Sequence, residues 1–178
     1  LTRPAIVDGS ALFAGSGPNA RYFALFPHEA LRPAISTSLV AKQSLRQADR
    51  GADYLVIFPD QQPDFLAALQ PLLLHRTEQG LRVTAVPLSQ IFAEFGYGQE
   101  DAAAIRNFLR YAQANWAPPA PRFVLLAGDA SYDIQNHLAG VNRNLLPSQI
   151  VRLRGGYASS DSWFSLLPES DPVPALAI

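Results

Sequence analysis

Three short apolar runs, each ended by turn residues, dominate the pattern of the second part of the chain. They cover residues 54–58, 81–86 and 123–127. Runs of this length that are rich in Val, Ile and Leu are typical of strands buried on both faces of a sheet. The run at 81–86 alternates more clearly between apolar and polar residues, so we expect its strand to lie nearer an edge of the sheet.

Between these runs the apolar residues follow the three-and-four spacing of helices. Pro63 suits the first residue of a helix, Pro71 predicts a kink or a break in it, and Gly80 suits the residue after its end. A short helix is predicted at 88–95. The clearest helical pattern covers 100–116, with acids at its start that suit the helix dipole. Its apolar face comprises Ile105, Phe108, Leu109, Ala112 and Trp116.

Alternation of strands and helices predicts an α/β fold: a three-layer, doubly wound parallel sheet with helices on both faces. If the second strand pairs outside the first and the third lies on its other side, the strand order is 2-1-3. Ligands of open α/β sheets bind at the carboxyl edge, where the order reverses. Asp60 and Asp129 follow the first and third strands, so we expect both to flank a crevice there.

Residues 1–50 predict a β-rich lead-in, or the tail of a preceding β domain, with strand-like pieces at 22–26 and 34–40. Residues 51–178 form the predicted α/β subdomain. The start at Leu1 and the end inside an apolar segment indicate a piece of a longer protein, truncated at its C-terminal end.

Regular structure is expected to fade after residue 133. A short strand is predicted within 145–152, and 155–163 is predicted to be a long loop, a kind of segment that is often functional or forms a lid. The last residues, 175–178, look like the beginning of a fourth strand.

Composition excludes several classes of function. The chain has 14 Lys and Arg against 15 Asp and Glu, a balance that offers no basic surface for nucleic acid or for anionic membrane. No apolar run approaches the roughly 20 residues that span a bilayer. The chain has no cysteine, which excludes disulfides and a cysteine nucleophile within these residues.

Acidic residues in the loops after the third strand offer oxygen ligands to a hard cation such as calcium. We predict a calcium site from Asp129, Asp133 and Asp161, with Asp60 and Asp171 as further candidates. The spacing of these acids is not that of an EF-hand. The structural alternative is that Asp129 caps a turn through its own backbone and that Asp133 is solvated.

The same loops supply the candidates for lining a substrate cleft: Asp129, Ser131, His137, Asp161 and Trp163. His137 is the histidine expected nearest the crevice, although a structural role is the alternative. The loop serines lack a Gly-x-Ser-x-Gly elbow. Neither a Walker loop nor a Gly-x-Gly-x-x-Gly motif follows the first strand, which disfavours nucleotides.

Taken together, four segments and a short motif make the chain similar to the gingipain-type cysteine peptidases, whose catalytic domain has a caspase-like α/β fold. The segments are 51–59, 75–83, 104–110 and 122–133. The motif Ser160-Asp-Ser-Trp-Phe164 resembles the family's Ser-Asp-x-x-Tyr segment. The resemblance covers about residues 51–178. It implies a peptidase whose cysteine, activated by histidine, forms a thioester during hydrolysis of a polypeptide.

In that family the His-Cys dyad lies beyond the segment present in this chain. No catalytic residue is therefore carried over, and the chain alone is expected to be inactive. The resemblance implies a non-catalytic first half of the peptidase domain, which forms the sheet scaffold and one wall of the substrate cleft and is partnered by the remainder of the domain. It also implies a secreted or cell-surface location, with calcium as a possible ligand.

Two alternatives remain. One is a catalytically inactive family member that serves as a binding or assembly module in protein secretion. The other is a receiver-like phosphotransfer domain, which needs paired acids after the first strand and a lysine near the last strand. Lys42 is the only lysine in the chain, so that alternative ranks below the first.

Overall fold

The computed structural model describes residues 5–7, 10–12, 44–131, 144–167 and 174–178. The chain divides into two compact units, Leu1–Leu39 and Val40–Ile178. Within the first unit, β1 (Ala5–Val7) pairs antiparallel with β2 (Ser10–Leu12). The strand-like pieces predicted at 22–26 and 34–40 lie outside the described residues. The predicted domain boundary after residue 50 stays a prediction.

The second unit contains a parallel sheet of three strands. β3 (Tyr54–Phe58) lies between β4 (Val83–Pro87) and β5 (Phe123–Leu126). Both neighbours run parallel to β3 along its length. This confirms the predicted 2-1-3 order and the place of the second strand at an edge. Since parallel strands end at one edge, the loops after all three emerge together.

The free side of β5 carries the beginning of a further strand. Ala177 forms an isolated parallel bridge with Phe123. The Val124 N–H donates to the Ala177 carbonyl at 2.8 Å, and the Ala177 N–H donates to the Arg122 carbonyl at 3.0 Å. The strand predicted to begin near residue 175 is thus present in its first residues.

The first crossover helix, α1 (Phe65–Glu78), starts later than predicted and is not broken by its proline. Asp64 rather than Pro63 precedes the helix, and Pro71 lies inside it. Gly80 follows the helix with φ +84°, and its N–H donates to the Thr77 carbonyl at 2.9 Å. A positive φ costs glycine little, which explains why the helix ends at the predicted position.

Two helices form the second crossover, α2 (Leu88–Phe95) and α3 (Ala102–Asn115). Asp101 caps α3, its carboxylate accepting the Ala103 N–H at 3.0 Å. All five apolar residues predicted for the buried face of the third helix are buried. The alternate side chains of each strand face opposite layers. Leu55, Ile57, Val86 and Val124 pack with α2 and α3, whereas Val56, Phe58 and Ala127 pack with α1.

The C-terminal part is more regular than the sequence predicted. β6 (Ile150–Leu153) and β7 (Gly156–Ser159) form an antiparallel hairpin, and α4 (Ser162–Ser165) follows. The prediction of a long loop at 155–163 was therefore wrong. Residues Arg154 and Gly155 form a tight turn, so β7 begins inside the stretch whose glycines and serines had indicated a loop. Among the described residues, no helix is long and apolar enough to cross a membrane.

Candidate functional site

The carboxyl edge of the parallel sheet brings together two loops that each carry an aspartate. Asp60 follows β3 and Asp129 follows β5. Both residues are solvent-exposed. Their positions agree with the predicted edge, but their hydrogen bonds give them different roles.

Asp60 caps the neighbouring helix. Its carboxylate accepts the Ser89 N–H at 3.1 Å and the Ser89 hydroxyl at 2.5 Å. The residue that precedes α2 is Pro87, which has no side chain able to cap a helix. Asp60 supplies that cap from the end of β3, so its carboxylate is engaged on the β4 side of β3 rather than on the side of β5.

Asp129 organises the loop after β5. Its Oδ1 accepts the N–H of Ala130 at 2.9 Å. Its carbonyl accepts the N–H groups of Leu145 and Leu146 at 2.9 and 3.1 Å. The local turn that the structural alternative expected is therefore present.

Gly128 allows the segment at Leu145 and Leu146 to lie close to the end of β5. Its φ is +155°, and a Cβ at this position would lie 3.2 Å from the Leu146 Cβ. A larger residue would push the 144–149 segment away from the sheet edge. The turn after β5 and the segment that begins at residue 144 therefore form one packed and hydrogen-bonded unit.

Ser131 joins the same unit. Its N–H donates to the Asn144 Oδ1 at 3.0 Å, and the residue is half-buried. Asn144 was not singled out from the sequence, where a lone loop asparagine carries no signal of the turn it will meet. The predicted residues Asp133 and His137 lie between these two loop ends and outside the described residues.

Asp161 and Trp163, two further residues predicted to line the substrate cleft, lie at the start of α4. The Asp161 carbonyl accepts the Phe164 N–H at 3.0 Å, and its exposed carboxylate makes no capping bond. The half-buried Trp163 ring packs edge-on against Phe164, with 5.3 Å between ring centroids. Since Phe164 is fully buried, it fixes the position of Trp163.

Two arginines of α3 hold this segment in place. The Arg106 guanidinium lies over the Trp163 ring, 4.4 Å from its centroid, and donates to the Leu166 carbonyl. The Arg110 Nε donates to the Leu167 carbonyl at 3.2 Å. Neither arginine was predicted from the sequence. Their spacing of four residues on one helix face is the signal that could have indicated a shared partner.

The structure gives the positions of two of the three acids predicted to bind calcium, Asp129 and Asp161. Across the described stretches, no group of three or more His, Cys, Asp or Glu side chains is placed to hold a metal ion. Asp129 and Asp161 therefore do not fit a cation site with a third such residue among those stretches. Asp133 lies outside the described residues, and the predicted three-acid site stays a prediction.

A cleft of about 930 Å³ opens beside α2, and the sequence did not predict it. We call it the Tyr97 cleft. Asp60, Glu94 and Glu100 line it together with Arg46, Phe92 and Tyr97. Tyr97 is fully exposed and follows the end of α2 with φ +55°. The N–H groups of Gly96 and Gly98 both donate to the Phe92 carbonyl, at 3.0 and 2.8 Å, which fixes the loop that carries Tyr97.

Comparisons with known proteins bear on the α/β unit. The sequence profile of Peptidase family C25 matches residues 47–178. The comparison with curated proteins gives no match. Among solved structures, latent PorU from Porphyromonas gingivalis is similar with a TM-score of 0.50 and 23% sequence identity over 75% of this chain. The chain spans 13% of the length of that protein. At this identity the likeness shows the fold, and it agrees with the parallel α/β architecture.

Proposed function

The chain belongs to peptidase family C25, and from that premise we propose that its α/β unit is the non-catalytic first half of a gingipain-like cysteine endopeptidase domain. In this role the unit provides the sheet scaffold and one wall of the cleft that receives a polypeptide substrate. The remainder of the domain is its proposed partner and supplies the reacting groups.

The observation that carries the proposal is the set of hydrogen bonds that fixes the loop at the end of β5. Asp129, Ser131 and Asn144 tie the two ends of this loop together at the carboxyl edge of a parallel sheet. Open α/β folds bind their ligands at that edge. A wall of this kind needs fixed polar groups at its surface, and the hydrogen bonds of Asp129 and Ser131 fix them.

In the proposed domain, the rest of the domain carries out catalysis and this unit contributes to substrate binding. A cysteine peptidase needs a thiolate nucleophile, a histidine base and donors for the oxyanion. The chain has no cysteine, so the thiolate is not among its residues. The proposed contribution of the chain is binding: exposed carboxylates at Asp129 and Asp161 accept hydrogen bonds from the substrate, and the Trp163 ring offers it an apolar surface.

A titration with an unstructured synthetic polypeptide tests this role. We expect the amide resonances of Asp129, Ser131 and Asp161 in the ¹⁵N-labelled chain to shift on binding, without cleavage of the polypeptide. Trp163→Ala should weaken binding, whereas Trp116→Phe, a change in the core, should not. Shifts confined to other surfaces would contradict the proposed wall. Cleavage by the purified chain would contradict the non-catalytic role.

Calcium binding is a further part of the proposal and is tested separately. If Asp129, Asp133 and Asp161 share a calcium ion, millimolar calcium raises the thermal midpoint of the chain by mass action. Asp129→Asn should abolish that rise, and Asp101→Asn, at the α3 cap, should leave it intact. An equal midpoint with calcium and with magnesium would contradict a calcium site.

The second candidate function is an inactive binding or assembly module for protein secretion. The absence of cysteine from the chain fits both candidates alike, because in the family the reacting cysteine lies outside the residues present here. Iodoacetamide distinguishes the two candidates when it is applied to a protein that contains this chain. Loss of peptidase activity supports the first candidate, and polypeptide binding with no activity to lose supports the second. In both cases we propose a secreted or cell-surface location, which cell fractionation tests.

A further inference from the structure

The β6–β7 hairpin presents an exposed surface that is both apolar and basic. Leu153 and Tyr157 are 57% and 76% exposed. Arg152 lies directly opposite Tyr157 in the hairpin register, and Arg154 occupies the turn. Both arginines are exposed, and neither side chain has a hydrogen bond or ion pair within the part of the chain that the structure describes.

These features are those of a contact surface. Tyrosine and arginine are the residue types most enriched at the energetic centres of protein interfaces. A hairpin of two strands is marginal by itself and gains stability when a partner covers it. The hairpin therefore fits a partner that offers negative charge together with an apolar surface.

The Tyr97 cleft has the opposite charge. Three carboxylates, Asp60, Glu94 and Glu100, face a single guanidinium in its lining. That guanidinium, of Arg46, is already engaged, since it stacks 4.2 Å from the Phe95 ring centroid and donates to the Glu94 carbonyl at 3.0 Å. The net charge of the cleft lining is therefore negative, because one guanidinium does not neutralise three carboxylates.

Glu100 is the carboxylate best placed to receive a cation. Asp60 uses both oxygens on Ser89, and Glu94 uses both on the Leu45 N–H. Among the described residues, the Glu100 carboxylate accepts one hydrogen bond, from the Gln61 side chain at 3.1 Å on Oε1. Its other oxygen is available for an arginine, and the exposed Tyr97 ring beside it offers apolar contact.

We propose that the chain associates head to tail, with the tip of the β6–β7 hairpin of one copy in the Tyr97 cleft of a second copy. No hairpin residue lines the cleft, so each copy presents both surfaces at once. The pairing joins Arg154 to Glu100 and sets Tyr157 beside Tyr97. Because the two surfaces differ, the contact is heterologous and repeats from copy to copy.

The contact is small, and its expected affinity follows from its size. A cleft of about 930 Å³ receives the tip of a hairpin rather than a whole face of a protein. Interfaces below roughly 1,200 Å² are typical of weak, transient complexes. We therefore expect a dissociation constant on the order of 10 to 1,000 μM, with association weakened by salt because a charge pair contributes to it.

Sedimentation of the 178-residue chain over a range of concentrations measures this association. We expect the average mass to rise with concentration and to fall as salt increases from about 0.1 M to about 1 M, where the screening length shortens from roughly 10 to 3 Å. A chain that stays monomeric at its highest soluble concentration contradicts the proposal.

Charge reversal identifies the surfaces. Glu100→Arg and Arg154→Glu should each raise the dissociation constant at least about tenfold, and the double variant E100R/R154E should regain most of the lost affinity. The control Gln70→Glu with Gln113→Glu, two exposed positions outside both surfaces, matches the charge change of R154E and should associate like the unmodified chain. Unchanged association in E100R, or a double variant as weak as the single ones, overturns the pairing.

A mixing experiment tests the head-to-tail arrangement. E100R keeps an intact hairpin, and the variant Arg154→Ser with Tyr157→Ser keeps an intact cleft. Each should be monomeric alone, and an equimolar mixture should form dimers that grow no further, because only one productive contact remains. Monomers in the mixture contradict a heterologous contact. Circular dichroism and thermal midpoints equal to those of the unmodified chain ensure that a folded variant is measured.

Discussion

The two faces of the parallel sheet are covered to different extents. On one face, α3 contributes six buried residues and α2 contributes four. On the other face, none of the 14 residues of α1 is buried, and Leu74 is 60% exposed. The same three strands therefore support one dense layer and one loosely packed layer.

The residues before β3 account for part of the difference. Leu45 is fully buried with the α2 and α3 layer. Its N–H donates to the Glu94 carboxylate, and its carbonyl accepts the Trp116 Nε1–H at 2.9 Å. The α2 and α3 face thus gains an additional segment that seals its edge. Buried apolar area is the main source of stability, so we expect most of the stability to lie on this face.

Phe108→Ala is expected to have the largest effect and tests the comparison directly. Phe108 is fully buried and lies 5.5 and 5.6 Å from the ring centroids of Phe95 and Trp116. Removing its ring leaves a cavity in the dense layer, which costs about 3–5 kcal/mol. Urea unfolding of the unmodified protein and of the Phe108→Ala variant, monitored by circular dichroism, measures the difference in their free energies of unfolding.

Leu73→Ala on α1 is the matched control for that measurement. Leu73 packs against Val56 and its neighbours but remains half-exposed. Its truncation removes contacts without creating a closed cavity, so we expect a loss of about 1 kcal/mol. Equal losses for Phe108→Ala and Leu73→Ala would show that the two layers contribute alike, contrary to the comparison.

Pro71→Ala should stabilise the protein through the weaker face. Pro71 lies inside α1, where proline lacks the N–H for a helical bond and clashes with the preceding turn. Alanine is better by up to about 3 kcal/mol in a helix interior. The free energy of unfolding should therefore rise, and the amide protons of α1 should exchange more slowly. A lower free energy of unfolding would mean that the proline ring supports the packing of α1 on the sheet.

The sequence was most informative where its apolar pattern and its turn residues agreed. The runs at 54–58 and 123–127 predicted two parallel strands, and the pattern from Ile105 to Trp116 predicted the buried face of α3. Burial on both faces was predicted correctly for β3 but not for β5, where only Val124 is buried and the other three residues are half-buried. These features are local, since a period of two or of 3.6 is enough to recognise them. The strand order followed from the general rules of α/β folds and was confirmed.

The pattern failed where long-range contacts decide. The short strand predicted within 145–152 overlaps β6, but β7 was predicted to be part of a loop, because its Gly, Tyr and Ser side chains lack an apolar face. Asp60 was placed correctly at the sheet edge, but its cap on α2 depends on a serine 29 residues away. The Tyr97 cleft forms from segments up to 56 residues apart, from Ser44 to Glu100, and no local motif in the sequence indicates such a surface. For Asp133 and His137 the structure describes no geometry, and their roles stay predictions.

Asp60→Ala should have the smallest effect on stability. It tests whether a residue located between β3 and α1 stabilises only the opposite layer, through its cap on α2. Asp60 lies two residues after the end of β3 but stabilises α2, so its loss should affect only the dense layer. Removal of a helix cap costs about 1 kcal/mol. Ser89→Ala removes the hydroxyl that donates to the same carboxylate, and the double variant should cost less than the two single losses combined, because both act on one interaction.

The site of the loss distinguishes this cap from a general weakening of the sheet edge. In hydrogen exchange, Asp60→Ala should speed the amides of the first turn of α2 and leave those of α1 unchanged, because the carboxylate has its hydrogen bonds on the β4 side of β3. Faster exchange across α1 as well would show that the two layers unfold as one unit through the end of β3. The two faces would then differ in how densely they are packed, but they would not unfold independently.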